Sequence, residues 1–308
     1  MTGALDRFAA EVGNTGPVTC VGGNTQSLVG GAVDSDARAV RAPAGIVSYQ
    51  PSEMTITALA GTPVTELVAT LAEHGQTVAM PIIQHSTIGG VLAVGRSSLV
   101  QLGHGPVRET LLQARFVNAG GELVKVGGPT VKNVTGFDLC RLLVGSLGTL
   151  GFMVEVILRT RPVAACTQWF RADDADPFAL RRSVYRPASI LWDGTTTWIC
   201  IDGHPDDVAA LATSIGPAFA PCDGPESSSG QTDRHRWTMS PSDLRAFANQ
   251  REPGTFMALV GIGEAWCQTP QPVPDIDPRL RQLEYAVKAT MDPTGRMNPG
   301  RTPGKRET

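Results

Sequence analysis

The sequence has no excess of basic residues, few aromatic residues and few charged residues. Of 308 residues, 26 are lysine or arginine and 29 are aspartate or glutamate, which gives a net charge of −3; aromatic residues make up 6% and charged residues 18%. A nucleic-acid-binding protein normally presents a basic face, and this balance does not provide one. We therefore expect no nucleic acid partner. The chain is long enough for two domains.

Cysteine and histidine show no metal-ligand spacing. The six cysteines include no C-x-x-C pair, the spacing that zinc and iron–sulfur sites commonly use. His204 and His235 are isolated from each other and from the other three histidines. We therefore predict structural thiols in a reducing cytoplasm and no metal site.

We also predict neither a signal peptide nor a membrane span. The first seven residues do not combine a basic region with an apolar core, as a secretory signal does. The most apolar window, residues 142–158, is interrupted by several glycines and by Glu155. That window indicates a buried turn and strand rather than a membrane span, so the predicted location is the cytoplasm.

Glycine is abundant, with 34 residues, and many of them lie between Thr87 and Pro162. Two glycines lie at the start of a predicted short helix over residues 87–95, and three more form a turn over residues 145–151. Because glycine lacks Cβ and readily adopts positive φ, such segments let backbone N–H groups converge on an anionic ligand. Residues 22–27 follow a short predicted strand and are typical of a phosphate-binding loop.

Residue patterns predict the other elements. A helix is expected to begin at Pro63, with Thr62 as its N-cap. Asp138 is expected to cap a short helix that ends near residue 144. Further strands are predicted at residues 17–21, 54–60, 111–117, 122–126, 152–159, 189–200 and 255–263, and a further helix at 279–289. The five tryptophans all follow Pro162 and are expected to build a second core rather than to stack on a cofactor.

These motifs resemble the two-subdomain FAD-binding fold of the vanillyl-alcohol-oxidase (PCMH) type. The loop at 22–27, the Thr87-Ile88-Gly89-Gly90 element and the glycine turn carry that resemblance. The FAD-binding subunit of bacterial glycolate oxidase resembles the chain more closely, through residues 131–146 and through Asp292-Pro293 to Asn298-Pro299-Gly300-Arg301. The resemblance is dense over residues 17–162 and returns only at 285–301.

The resemblance implies FAD as the cofactor. The loop at 22–27 would wrap the diphosphate, residues 87–95 would follow the ribityl chain and flavin edge, and Val154 would lie at the adenine. Lys132 and Arg301 would bring positive charge towards the flavin. The implied cofactor-binding residues are Gly22, Gly23, Asn24, Thr25, Gln26, Ser27, Pro81, Thr87, Ile88, Gly89, Gly90, Gly95, Lys132, Gly145, Gly148, Gly151, Val154 and Arg301. Asn24 stands where relatives with covalent FAD have histidine, so non-covalent binding is expected.

The resemblance also implies the fold, the domains and the function. The fold class is α+β, a PCMH-type two-subdomain FAD-binding fold with a reduced α+β cap domain. The expected domains are the FAD-binding domain at 1–162, the reduced cap at 163–284 and a C-terminal segment at 285–308 that returns to the FAD domain. The implied function is that of the FAD-binding subunit of a glycolate oxidase-like complex, which oxidises a short 2-hydroxy acid to the 2-oxo acid. Its partners would be a second flavin subunit and an iron–sulfur subunit, through which the protein could lie at the inner membrane.

Departures from the family pattern leave two alternatives open. The cap region is short and lacks the clustered histidines of relatives that oxidise hydroxy acids, and Leu147 replaces an acidic residue often seen in the glycine turn. The alternatives are a non-catalytic FAD-binding scaffold or electron-relay subunit, and a stand-alone FAD-dependent oxidoreductase acting on another alcohol. The catalytic base is unknown; His104, between two glycines, is a candidate for a place near the ligand, and His85 is a weaker one.

A dinucleotide-binding Rossmann site for NAD is the obvious competing interpretation of a glycine-rich chain. Residues 89–95 lack the G-x-G-x-x-G spacing, and no acidic residue follows about 20 positions later on a second strand. The sequence therefore favours FAD over NAD.

Overall fold

Short strands and helices alternate through the first half of the chain. The structure, a computed structural model, describes residues 2–129, 138–225, 235–272 and 277–302. The strands up to residue 162 are β1 (Val18–Cys20), β2 (Arg38–Val40), β3 (Ile46–Gln50), β4 (Thr55–Leu59), β5 (Gln76–Thr77), β6 (Leu111–Val117), β7 (Leu123–Gly127), β8 (Phe152–Arg159) and β9 (Arg161–Pro162). The helices are α1 (Thr2–Val12), α2 (Val64–Ala72), α3 (Ile88–Val94), α4 (Gln101–His104) and α5 (Leu139–Leu143).

The second half contains longer strands and ends in the longest helix described. The strands are β10 (Cys166–Asp173), β11 (Ser189–Trp192), β12 (Thr196–Gly203), β13 (Ala220–Cys222), β14 (His235–Thr238), β15 (Phe256–Leu259) and β16 (Glu264–Cys267). The helices are α6 (Pro177–Ser183), α7 (Pro205–Ser214), α8 (Leu244–Ala248) and α9 (Pro278–Met291). None of the helices within the described ranges is long and apolar enough to cross a membrane.

A five-stranded antiparallel sheet, in the order β3-β4-β8-β6-β7, organises the first half. Helices α2, α3 and α5 pack on it through a large apolar core that includes Leu67, Ile88, Leu143 and Leu158, all at most 1% exposed. The parallel strand pair β1-β2 packs with α1 and part of β8 to form a second cluster of buried apolar side chains. Helix α3 is thereby fixed at the end of β4, beside the loop that follows β1.

A seven-stranded sheet, in the order β13-β10-β12-β11-β15-β16-β14, forms the second half. Helices α6, α7 and α8 cover one face. On the other face, Leu191, Leu259 and Trp266 form a small cluster that Leu99 from the first half packs against. All five tryptophans take part in these two cores, which confirms that prediction.

Most predicted elements are present, with three corrections. The predicted strand at 255–263 ends at Leu259, because residues 260–263 turn the chain into β16. Thr62 is not an N-cap: α2 begins after Pro63 without a side-chain cap, and the buried Thr62 hydroxyl donates to the Leu59 carbonyl at 2.7 Å. The predicted strand at 189–200 is a hairpin, because Asp193 accepts hydrogen bonds from the Thr195 and Thr196 amides and turns the chain. No strand of either large sheet crosses Pro162; the domain limits at 162 and 284 stay predictions.

Candidate cofactor-binding site

A cavity of about 420 Å³ lies between the loop after β1, helix α3 and the glycine turn before β8. This volume is within the usual range for cofactor and small-molecule sites. The walls consist mainly of backbone and small side chains, which suits a bulky ligand. The predicted site residues that line the cavity are Gly22, Gly23, Asn24, Thr25, Gln26, Ser27, Thr87, Gly89, Gly90, Gly148, Gly151 and Arg301.

The loop at residues 22–27 offers hydrogen-bond donors that the rest of the protein does not use. Within the described chain, none of its six amide N–H groups donates a hydrogen bond, and the side chains of Asn24, Thr25 and Ser27 have no partner. The buried Gln26 Oε1 likewise has no partner. Buried polar groups are normally paired, so the unpaired Gln26 Oε1 is the buried group that a ligand would satisfy, while the exposed residues Gly23, Asn24 and Ser27 keep their N–H groups free for the same ligand.

The two glycines of this loop serve a contact that the sequence did not indicate. A Cβ on Gly23 would lie 1.6 Å from the His85 carbonyl oxygen, and a Cβ on Gly22 would lie 2.5 Å from Thr87 Oγ1. The lack of a side chain therefore lets the loop pack directly on the segment that leads into α3. Both glycines line the cavity, and neither of their amides donates a hydrogen bond to the residues that the structure describes.

Helix α3 forms the second wall, and its ends follow from its sequence. The Thr87 side chain accepts a hydrogen bond from the Gly90 amide at 3.2 Å, and Gly95 ends the helix in the left-handed conformation, with φ 71°. Gly89 donates to the Ala60 carbonyl at 2.7 Å, and a Cβ there would lie 2.9 Å from the Ala60 side chain. Close packing on Ala60 thus sets the depth of the cavity beside α3.

The glycine turn forms the third wall and contains an unusual backbone conformation. Gly145 and Gly148 have positive φ, and so does Leu147, at 55°. A left-handed leucine is strained, because its Cβ is forced close to the backbone. The Leu147 amide donates to the Ala93 carbonyl of α3 at 2.8 Å, so the strained residue is tied to the second wall.

The C-terminal strap, residues 296–302, closes the cavity with Asn298 and Arg301. The Arg301 guanidinium donates to the Ser27 carbonyl at 2.7 Å and to the Val29 carbonyl at 3.3 Å, while its buried Nε has no partner. Arg301 is the only charged residue among the cavity-lining residues that the structure describes. Burial lowers the pKa of Arg301, as expected for a positive charge that no nearby carboxylate compensates.

Five predicted site residues do not line the cavity. Val154 and Ile88 are fully buried in the apolar cores, and Pro81 is buried elsewhere. Gly95 and Gly145 instead contact each other, since a Cβ on Gly95 would lie 3.0 Å from the Gly145 Cα. Lys132 lies outside the described residues, so its predicted role stays a prediction.

Neither histidine candidate is among the described residues that line the cavity, although the His85 backbone packs against Gly23. His85 is exposed. The His104 Nε2 lies 2.5 Å from Asp202 Oδ2 on β12, and the hydrogen bond from His104 holds the pKa of Asp202 below its usual range. Asp138 caps α5 as predicted, accepting from the Arg141 amide.

Several lining residues were missed by sequence reasoning, and Cys20 and Asn298 matter most among them. Burial raises the pKa of the Cys20 thiol to about 11. Asn298 belongs to the terminal Asn-Pro-Gly-Arg motif. From this motif, only Arg301 is predicted as a cofactor-binding residue. The other missed residues are Thr19, Val21, Leu28, Ala32, Val33, Ala42, Ala60, Gly61, Ala93, Val94, Leu147, Phe152 and Met153.

The residues present fit FAD. Its diphosphate needs several hydrogen-bond donors and positive charge, and the cavity offers the unpaired amides of residues 22–27 together with Arg301. Its bulky planar and sugar parts need walls without protruding side chains, and Gly89, Gly90 and Ala93 provide such a wall. The donor set and the wall composition therefore match a dinucleotide cofactor.

Comparison with known proteins agrees with this site. Residues 7–127 match a protein family described as FAD binding domain. Glycolate oxidase subunit GlcE of Escherichia coli (strain K12) is 33% identical over 161 residues, which are 51% of this chain and 46% of that protein. D-lactate dehydrogenase of Archaeoglobus fulgidus is 32% identical over 162 residues, 52% of this chain and 36% of that protein. The chain thus spans less than half the length of these two relatives.

A solved structure of alkyldihydroxyacetonephosphate synthase has a similar fold. The TM-score is 0.65 at 14% sequence identity, over 96% of this chain and 73% of that one. These comparisons confirm the family resemblance, the PCMH-type FAD-binding fold and FAD as the cofactor. Residues 7–127 are therefore the part of the chain that is similar to the FAD binding domain family.

Proposed function

We propose that the chain is the FAD-binding subunit of a glycolate oxidase-like complex and takes part in oxidising a short 2-hydroxy acid to the 2-oxo acid. The observation that carries the proposal is the loop at residues 22–27, which lines the cavity together with Arg301 and whose amides donate no hydrogen bond within the described chain. The similarity to a glycolate oxidase subunit over half of this chain supports the choice of reaction. The word subunit in that relative's name supports a complex, in which we place a second flavin subunit and an iron–sulfur subunit.

Non-covalent attachment of FAD is part of the proposal. Among the described lining residues there is neither a histidine nor a tyrosine. Cys20 does line the cavity, but its pKa of about 11 keeps the thiol protonated near neutral pH, and a protonated thiol is a weak nucleophile. Denaturation of the loaded protein is therefore expected to release all of its flavin.

The chemistry of oxidation divides between the cofactor and the chain. When bound, FAD supplies a two-electron acceptor for the hydrogen removed from the alcohol carbon. The loop at residues 22–27 binds the phosphates, and Arg301 neutralises part of their charge. Helix α3 and the glycine turn form the walls on either side of the ligand. Attachment to the inner membrane through the partner subunits belongs to the same proposal and is tested by cell fractionation.

One observation favours a second candidate, a scaffold or electron-relay subunit. The cavity residues that the structure describes include no aspartate, glutamate, histidine or lysine, the usual general bases. In this version the hydroxy acid is oxidised on the second flavin subunit, and the FAD of this chain is structural or passes electrons onward.

The experiment that tests the function is anaerobic reduction of the FAD-loaded chain. The purified chain is first reconstituted with FAD and must then show the visible absorbance of oxidised flavin. Glycolate is added to the isolated chain and, separately, to the complete complex. Bleaching of the isolated chain supports oxidation by this subunit, whereas bleaching only in the complex supports the relay. If glycolate fails in both and a panel of other alcohols bleaches the isolated chain, the protein is a stand-alone oxidoreductase with another substrate.

A further inference from the structure

The Asn298 side chain connects two walls of the cofactor cavity. Its Nδ2 donates to the Leu147 carbonyl in the glycine turn at 2.5 Å. Its Oδ1 accepts from the Cys20 amide at 3.3 Å; Cys20 ends β1 and leads into the loop at residues 22–27, here called the first loop. Asn298 is 5% exposed and itself lines the cavity. One carboxamide therefore sets the separation between the glycine turn and the loop whose amides face the cavity.

The C-terminal strap that carries Asn298 pairs with residues on both sides of the loop at residues 22–27. The Val18 amide donates to the Arg296 carbonyl, and the Asn298 amide donates to the Val18 carbonyl, each at 2.9 Å. Further along, the Thr302 amide donates to the Gly30 carbonyl at 3.1 Å. The C-terminal strap thus supports the residues on both sides of the loop.

The N-terminal end of the C-terminal strap is held by hydrogen bonds of residues that do not line the cavity. The Arg296 guanidinium is buried and donates to the backbone carbonyls of Val12, Gly13, Thr15, Gly16 and Ala119. The buried Asp292 carboxylate accepts from the Arg296 and Met297 amides and from Lys288 Nζ. A change in the Asn298 side chain therefore removes the link between the walls without removing this anchor.

Three of the seven described non-glycine residues with positive φ lie in the cavity wall, and Asn298 is one of them. Asn24, Leu147 and Asn298 are non-glycine residues with positive φ, of 59°, 55° and 46°, and all three line the cavity. Such conformations persist only where surrounding contacts hold them, and they cluster at functional sites. The hydrogen bond from Asn298 holds the carbonyl of the strained Leu147, so it preserves a geometry that the turn would otherwise relax.

We propose that Asn298 is a positioning residue for FAD: by holding Leu147 against the start of the first loop, it keeps the loop amides in their binding geometry. The inference rests on the proposed function only in taking FAD as the occupant of this cavity. Neither the sequence motifs nor the comparisons assign Asn298 this role.

Two substitutions and two controls test the proposal, with the dissociation constant for FAD as the readout. Asn298→Ala removes both hydrogen bonds. Asn298→Asp keeps the shape but loses the donor to Leu147 while its carboxyl is ionised. Asn249→Ala, at the exposed end of α8, is the matched asparagine control. Leu244→Ala, in the apolar core of the seven-stranded sheet, lowers general stability away from the cavity.

The wild-type chain is expected to bind FAD, with about 10- to 100-fold weaker binding in Asn298→Ala, because a buried carbonyl loses its partner. In Asn298→Asp, binding at about pH 8 should be at least as weak, and it should recover several-fold towards about pH 5 as the buried carboxyl is protonated and can donate again. Among the lining residues that the structure describes, the charged or titratable groups are the Cys20 thiol, which stays protonated over this range, and Arg301, which stays charged. Wild type and Asn298→Ala should therefore lack this recovery.

The outcomes separate the two levels of the proposal. If the wild-type chain itself does not bind FAD, the cofactor assignment to this cavity fails. If it binds and Asn298→Ala is within threefold of wild type, only the positioning role is overturned. The role is also overturned if Leu244→Ala weakens binding as much as Asn298→Ala, or if Asn298→Asp shows no pH-dependent recovery, since both results would assign the loss to packing or stability.

Discussion

Replacement of Arg301 by methionine should weaken FAD binding strongly while leaving the fold intact. Arg301 is the only charged side chain in the described lining of the cavity, and it holds the carbonyl groups of Ser27 and Val29. Methionine preserves most of the aliphatic length but removes the charge and both hydrogen bonds. The first loop should then be less ordered and its amides should face the phosphates without a neighbouring cation.

The size of the effect follows from those contacts. The bond to Ser27, at 2.7 Å, is short, and the bond to Val29, at 3.3 Å, is weak. A hydrogen bond from a charged donor contributes about 1.5–3 kcal/mol. Because the bonds to Ser27 and Val29 also exist without FAD, the loss of binding is set by the charge and by the unpartnered Nε; one bond from a charged donor gives a loss of about 1.5–3 kcal/mol, roughly a 10- to 150-fold increase in the dissociation constant. Arg301→Lys keeps the charge but loses the forked geometry, so it should give an intermediate value.

The assay is titration of the apoprotein with FAD at two salt concentrations. Arg41→Met is the matched control, because Arg41 also donates to a carbonyl of the first loop, that of Gly22 at 3.0 Å, but does not line the cavity. The control should change binding by less than threefold. Wild-type binding should weaken with salt more than that of Arg301→Met. Equal effects of the Arg41 and Arg301 substitutions would refute the argument, because loop support alone would then explain both.

Three further predictions concern the elements around the cavity. Gly148→Ala should lower both the melting temperature and FAD affinity, because φ is +70° and the new Cβ would lie 2.8 Å from Asn298 Nδ2; unchanged values would contradict this packing. Thr62→Val should cost about 1–2 kcal/mol of unfolding free energy in urea, since the Leu59 carbonyl loses its buried donor; a neutral effect would contradict it. Burial raises the pKa of Asp292, but hydrogen bonds from Lys288 and the Met297 and Arg296 amides more than offset this, so the pKa lies below its usual range. Below the usual aspartate pKa of about 3.9, the unfolded chain binds the proton more readily than the folded chain, so stability should fall as the pH falls through the folded pKa. Asp292→Asn should remove that part of the acid dependence, and an unchanged acid unfolding curve would count against it.

Local signals in the sequence predicted much of the fold and of the cavity. The small-residue helix α3 (Ile88–Val94) lies within the predicted range of 87–95. Strand β8 has the predicted bounds, 152–159. These elements depend on short-range backbone preferences, which a single sequence displays. The loop at residues 22–27 could be predicted for the same reason.

Contacts between distant segments could not be predicted in this way. Asn298 and Cys20 are 278 positions apart, and only the folded chain brings them together. The reason for the glycines at 22 and 23, close packing on residues 85–87, also depends on a neighbouring segment. Val154 was expected at the adenine, but β8 lies between β4 and β6 and its side chain is fully buried. Thr62 was expected to cap α2, but tertiary contacts use its hydroxyl elsewhere.

The central claim is that the cavity between the first loop, helix α3, the glycine turn and the C-terminal strap holds FAD without a covalent bond. The most direct measurement is titration of the purified, flavin-free chain with FAD, followed by denaturation and precipitation of the protein. We predict saturable one-to-one binding with the visible absorbance of oxidised flavin, and full release of the flavin into the supernatant. Absence of saturable binding, or flavin that stays with the precipitated protein, would contradict the account.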